Sequence, residues 1–123
     1  MIGYTTFGTN DLERAAKFYD GLFAELGGKR AMATDSLVLW ATGPGTPMVG
    51  VIKPNDGKTA THGNGTMIAL AAKDKAQVDR VHALAMSMGA KDEGAPGPRG
   101  DGGFYAGYFR DLDGNKLDVY HYG

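Results

Sequence analysis

The chain has no cysteine among its 123 residues, which excludes disulfides, thiolate metal sites, iron–sulfur ligation and cysteine nucleophiles together. It also lacks an excess of charge of either sign: 13 Lys and Arg stand against 14 Asp and Glu, a formal net charge of −1. No global field draws such a chain to nucleic acid or to an anionic membrane. No apolar run approaches the roughly 18 residues that span a bilayer, and the opening MIGYTTFGTND has neither the basic region nor the apolar stretch of a signal peptide. The expectation is a soluble, cytoplasmic protein with no nucleic-acid or membrane partner.

Glycine, by contrast, is abundant, with 20 residues, which points to many tight turns between short strands and few helices. The chain also reads twice. A shift of 63 residues lays Asp11 on Asp74 with similar surroundings, the signature of an internal repeat. Each half opens on a strand-like run, residues 2–8 and 66–72, and passes into an amphipathic helix. The first helix has Asn10 as candidate N-cap with Glu13 three residues on, an apolar stripe from Leu12 to Leu26, and a stop at Gly27-Gly28. The second has Asp74 with Gln77 in the same relation, apolar Val78, Val81, Ala85 and Met88, and Gly89 as terminator. Strand-like runs follow each helix: 37–40 and 48–52 in the first half, 104–110 and 116–122 in the second, where Asp113-Gly114 suits a hairpin. The polar stretch 94–103, GAPGPRGDGG, reads either as a lid or as an exposed loop.

These features define an α+β domain of two strand–helix–strands units, about 1–53 and about 65–123, joined by a linker over 54–64. Strand alternation puts Thr5 and Phe7 under the first helix and Ile68 and Leu70 under the second. Tyr4, Thr6, Met67 and Ala69 then point away from the helices. If the sheets curl around a common cleft with the helices outside, that other face is its wall.

The opening YTTFGTNDLERAAKFYDGLFAELG and the closing GFYAGYFRDLDGNKLDVYHY resemble the glyoxalase/bleomycin-resistance/extradiol-dioxygenase superfamily, the vicinal oxygen chelate proteins. The resemblance covers nearly the whole chain. It implies paired βαβββ modules whose curled mixed sheets form a cleft, commonly in a homodimer. It also implies a divalent metal held by His and carboxylate ligands, with open positions for substrate oxygens. The position of the first ligand, seven residues before the Asp of Asp-Leu, is Tyr4. The second, usually His, falls on Met67, and the third, usually Glu three residues after the Asn of Asp-Gly-Asn, falls on Asp118. A phenol and a neutral thioether are poor ligands for Mg²⁺, Mn²⁺, Zn²⁺ or Fe²⁺, so the expected cofactor is none, with a divalent metal as the alternative.

The candidate ligand-binding residues are Tyr4, Thr6, Trp40, Met67, Tyr105, Tyr108, Asp118 and Arg99. They stand either as contacts for a small, partly apolar molecule with a donor for Asp118 or as packing between the sheets. Arg99 is placed to meet an anionic group. Asp118 either meets the ligand or pairs with a neighbouring Lys or Tyr. The three histidines show no ligand spacing: His62 falls in the linker, His82 on the second helix as a structural or dimer contact, and His121 opposite Asp118 on the last strand. Asp111 to Asn115 begins like a calcium loop, but Lys116 and Tyr122 occupy the positions of its Gly and Glu. Three functions remain: a metal-independent small-molecule binder, a metal-dependent lyase, isomerase or dioxygenase, and a drug-sequestering resistance protein. Catalysis is left open by the sequence.

Overall fold

The computed structural model describes residues 1–123. Ten elements follow in order: β1 (Tyr4–Gly8), α1 (Leu12–Glu25), β2 (Lys29–Ala33), β3 (Leu37–Ala41), β4 (Met48–Ile52), β5 (Ile68–Ala71), α2 (Lys75–Ser87), β6 (Lys91–Pro98), β7 (Phe104–Arg110) and β8 (Lys116–Tyr122). The chain divides into two compact units, Met1–His62 and Gly63–Gly123. Each is a βαβββ module with one four-stranded mixed sheet, in strand order β1-β4-β3-β2 and β5-β8-β7-β6. The first strand of each module pairs in parallel with the last, β1 with β4 and β5 with β8, and the remaining pairs are antiparallel.

Both helices begin on an aspartate. Asp11 caps α1 by accepting from the Arg14 amide at 3.0 Å, and Asp74 caps α2 by accepting from the Gln77 amide at 2.7 Å. The cap of α1 thus lies one residue beyond the expected Asn10. The Asn10 amide is engaged elsewhere: its Oδ1 accepts from the Ala60 backbone N–H at 2.7 Å and its Nδ2 donates to the Ala60 carbonyl at 3.3 Å. In α2 the Gln77 side chain reaches back to accept from the Lys73 amide at 2.9 Å, so two amide donors at the helix start are satisfied reciprocally, much as in a capping box.

Alternation along the strands decides the core of each module. In the first, Phe7, Val38, Trp40 and Val51 face α1 and meet Tyr19, Leu22 and Phe23, all of them at most 5% exposed. The rings interlock: Tyr19 lies 5.0 Å from Phe23 and 5.8 Å from Trp40, and Phe23 meets Trp40 edge-on at 5.5 Å. In the second, Leu70, Phe109, Leu117 and Val119 face Val78, Val81 and Ala85 of α2. Complete burial of a Leu, Val or Phe side chain contributes roughly 1.5–3 kcal/mol, so these clusters are the main source of stability in each unit.

Two strands differ from the sequence expectation. β2 was not evident because all five of its residues are exposed, which erases the alternation that marks a half-buried strand. β6 occupies 91–98, so the first half of the expected loop 94–103 is strand. It is an irregular one, with register shifts between Asp92 and Gly94 and between Gly94 and Gly97, and its Gly and Pro content disguises it in the sequence. The Asp111–Asn115 turn is a hairpin connection: one Asp111 carboxylate oxygen accepts from the amides of Asp113 and Asn115, both at 2.9 Å, and the other from the Asn115 side chain at 3.0 Å.

Candidate functional site

The second sheet has one face under α2 and one face free of it. Tyr105, Gly107 and Phe109 of β7 lie on the helix side, where the Tyr105 hydroxyl donates to Asp79 of α2 at 2.6 Å and the His82 ring meets Phe109 edge-on at 6.2 Å. Period-two geometry then places Tyr108 and Phe104 of β7, Lys116, Asp118 and Tyr120 of β8, and Ala69 and Ala71 of β5 on the opposite, open face. Register brings them into rows. Asp118 stands between Ala69 and Tyr108, and Tyr120 between Ala71 and Ala106.

Asp118 is the anomaly of this face. It is 2% exposed, and its Oδ1 is buried without a hydrogen-bond partner. Burial pushes the carboxyl up from an ordinary 3.8 to about 6, against the opposing pull of the Lys116 ammonium. A buried, unpaired carboxylate oxygen costs free energy, a cost that a proton, a water, a cation or a ligand donor relieves.

Around Asp118 the face is aromatic and cationic. The Lys116 ammonium lies 5.6 Å from the Tyr108 ring centroid, and the Arg99 guanidinium 5.4 Å from the same ring. Phe104 stacks on Tyr120 at 5.4 Å and meets Tyr122 at 6.1 Å. The exposed Ala69 and Ala71 beside Asp118 and Tyr120 leave low ground next to these larger side chains.

The structure therefore brings Tyr108, Asp118 and Arg99 together on one face, with Met67, 40% exposed, immediately before β5. In the first unit, Tyr4, 59% exposed, and Thr6 lie on the face of β1 opposite Phe7. Two candidates lie on the helix sides of their sheets. Trp40 is 2% exposed beneath α1, and its Nε1 donates to Asp20 at 2.9 Å; its parity along β3 matches that of Val38, which no run of four apolar residues discloses. Tyr105 is likewise bound to the helix through Asp79, with Lys75 over its ring at 5.7 Å, and that hydrogen bond raises its hydroxyl pKa. Arg99 does reach the face, but as a strap rather than the tip of a lid. Its guanidinium donates to the carbonyls of Ala95 at 2.8 Å and Gly97 at 2.9 Å, in the irregular part of β6.

Lys116, Phe104 and Tyr120 were missed by the sequence reading. The signal for Lys116 and Tyr120 was their spacing, two residues to either side of Asp118 on one strand. His82 is 6% exposed, its Nε2 lying 3.1 Å from Asp92 Oδ1 and 3.2 Å from the Tyr108 carbonyl, so it joins α2 to β6 and β7. His121 turns to the helix side, with Nδ1 3.2 Å from the Ala72 carbonyl.

The resemblance to the superfamily assigns the positions of its metal ligands to Tyr4, Met67 and Asp118. They do not fit a divalent metal. Asp118 is their one carboxylate, and its nearest charged influence is the Lys116 cation. Hard divalent ions need oxygen or imidazole donors.

A surface groove of about 510 Å³ lies elsewhere, between the start of α1 and the β2–β3 hairpin. Its rim mixes Glu13 and Asp35 with Arg30 and Lys53, and Arg30 is already paired with Asp20 at 2.8 Å. Nothing in it matches the orphaned oxygen of Asp118.

A sequence profile of the Glyoxalase/Bleomycin resistance protein/Dioxygenase superfamily matches residues 1–119. The chain belongs to this superfamily. Among solved structures it is similar to a glyoxalase/bleomycin resistance protein from Albidiferax ferrireducens T118, with 37% identity over 98% of each chain and a TM-score of 0.89. It is also similar to hypothetical protein SA1046 of S. aureus, with 25% identity over 96% of this chain and 91% of that one and a TM-score of 0.74. The lactoylglutathione lyase of Agrobacterium tumefaciens shares the fold, at 24% identity over 98% and 92% of the chains and a TM-score of 0.72. No protein of curated function matches. The superfamily's paired-module architecture is the one described above. No helix is long and apolar enough to cross a membrane.

Proposed function

We propose that this superfamily member binds a small, partly apolar organic molecule on the open face of its second sheet, without the divalent metal common among its relatives. The observation that carries the reading is the buried, unpartnered Oδ1 of Asp118, set beside aromatic side chains and two exposed alanines. A ligand hydroxyl or N–H donating to that oxygen removes the cost of leaving it unpaired. Tyr108, Phe104 and Tyr120 supply flat apolar surface for the remainder of the molecule. Met67, immediately before β5, is proposed to extend the contact.

The cations of this face count against a site for large cationic drugs, since Lys116 and Arg99 repel such a ligand. A catalytic role for this chain requires a proton acceptor at the ligand, and Asp118 is the group placed to be one. The protein is proposed to work as a cytoplasmic homodimer, and light scattering on the purified chain tests its assembly state.

Elemental analysis of protein purified without a histidine tag, paired with calorimetric titration of Mn²⁺, Zn²⁺, Ni²⁺ and Fe²⁺, tests the metal-free reading. No stoichiometric metal is expected. One stoichiometric ion, lost on replacing Asp118, overturns it in favour of a metal-dependent lyase, isomerase or dioxygenase. A small-molecule screen by thermal stability then finds the occupant, because any ligand selective for the folded state raises the midpoint.

A further inference from the structure

The charges on the open face of the second sheet are unbalanced, whereas those of the whole chain nearly cancel. Lys91, Arg99, Arg110 and Lys116 lie on or beside this face; the carboxylates among them are Glu93 and Asp118. Glu93 is already taken: Arg110 Nε donates to it at 3.0 Å, and the charges of Arg110, Lys91 and Lys116 together hold its carboxyl below the usual range. Arg110 further donates to the Gly114 carbonyl at 3.1 Å, and Arg99 is tied to the carbonyls of β6.

Lys116 is different. It makes no hydrogen bond or salt bridge, and its ammonium rests against the Tyr108 ring at 5.6 Å. It stands two residues from Asp118 on the same face of β8, which separates their Cα atoms by roughly 6–7 Å along the strand. An unpaired, half-buried cation and an unpaired, buried carboxylate oxygen therefore lie next to each other, with Tyr108 between them and β6, and neither satisfies the other.

We infer that the ligand of this face is an organic acid: its anionic group, a carboxylate or a group of like charge, pairs with Lys116, and a hydroxyl or N–H on the same molecule donates to Asp118. This rests on the ligand-binding reading of the face and adds the ligand's charge and the spacing of its two polar groups. The separation is close to that between substituents on opposite positions of a six-membered ring, so the acid and the donor lie at opposite ends of a compact, flat body. The Tyr108 ring is the surface against which that body stacks. Lys116 then acts as a binding and specificity residue, selecting anions from neutral molecules of the same shape.

The test uses matched probes on the full chain: 3- and 4-hydroxybenzoate and trans-4-hydroxycyclohexanecarboxylate, each compared with its methyl ester. Affinity is read by calorimetry or thermal shift at constant pH and low ionic strength, with Lys116→Met as the variant and its ligand-free thermal midpoint as the control for folding. At least one acid is expected to bind about tenfold more tightly than its ester. Lys116→Met should erase that difference while leaving ester affinity in place, and added salt should weaken the acid alone. Esters binding as well as acids, or an acid preference that survives Lys116→Met, overturns the inference and leaves the binding face standing. Failure of every acid and every ester to bind overturns both.

Discussion

Asp118 and Tyr108 face each other across β8 and β7 on the open side of the second sheet, a carboxyl with one orphaned oxygen opposite an aromatic ring that already carries two cations. The pairing joins an energetic cost to a recognition surface. The same strand buries Leu117 and Val119 against α2, so the position of Asp118 is fixed by the core on the other side of the sheet. That rigid backing favours a site whose geometry is formed before the ligand arrives.

The cost of Asp118 is visible in pH dependence. In the unfolded chain the group loses its proton near 3.8, and in the folded chain near 6. Between these values the native state binds more protons, so stability falls as pH rises through the window and is level above it. The full difference is roughly 3 kcal/mol. Asp118→Asn, which carries no titrating proton, should lose this slope, so that its stability gains on the parent between pH 4 and pH 7. Urea unfolding of both proteins across that range measures it, and parallel profiles would falsify the assignment.

Gly50 is predicted to tolerate no side chain. A Cβ there would collide with the Val38 carbonyl oxygen and lie 2.5 Å from Leu39 Cδ2, contacts that only a shift of β3 against β4 relieves. Gly50→Ala should therefore destabilise the protein by about 3 kcal/mol, at the upper end of overpacking effects. A thermal midpoint within a degree of the parent would show that the strands separate more easily than their burial implies.

The two helix caps are expected to act independently of ligand binding. Asp74→Ala removes the acceptor for the Gln77 amide and should cost about 1 kcal/mol. Asp11→Ala should do the same for α1. Denaturant titrations give the stabilities, and equal losses are expected from the two positions that the 63-residue shift superposes.

Much of this architecture was legible in the sequence because it is local. The repeat, the helix stripes, the Asp113-Gly114 turn and the alternation that sends Phe7 and Leu70 inward all depend on residues near one another. β2 and β6 were not, since the first has no buried residue and the second is broken by two register shifts. Asp118 was found through a motif, whereas Lys116 was overlooked although it lies two residues away. Its meaning arises from what it does not pair with, and that is a property of the folded charges. The helix-side placement of Trp40 and Tyr105 was hidden for a related reason: an aromatic residue suits a core and a ligand wall equally well, and only strand parity separates the two.

That parity yields a sharp comparison between neighbours. Tyr105→Phe removes a hydrogen bond to Asp79 on the helix side and should leave binding of any ligand on the open face unchanged. Tyr108→Ala removes the ring on which Lys116 and Arg99 rest and should weaken that binding about tenfold, the effect expected of a stacking aromatic in a buried contact. Trp40→Phe belongs with Tyr105→Phe: it loses the donor to Asp20 and about 1 kcal/mol of stability, with affinity intact. The three variants are measured for unfolding and for binding of the tightest probe acid. If Tyr105→Phe or Trp40→Phe weakens binding as much as Tyr108→Ala does, the ligand does not occupy the open face of the second sheet.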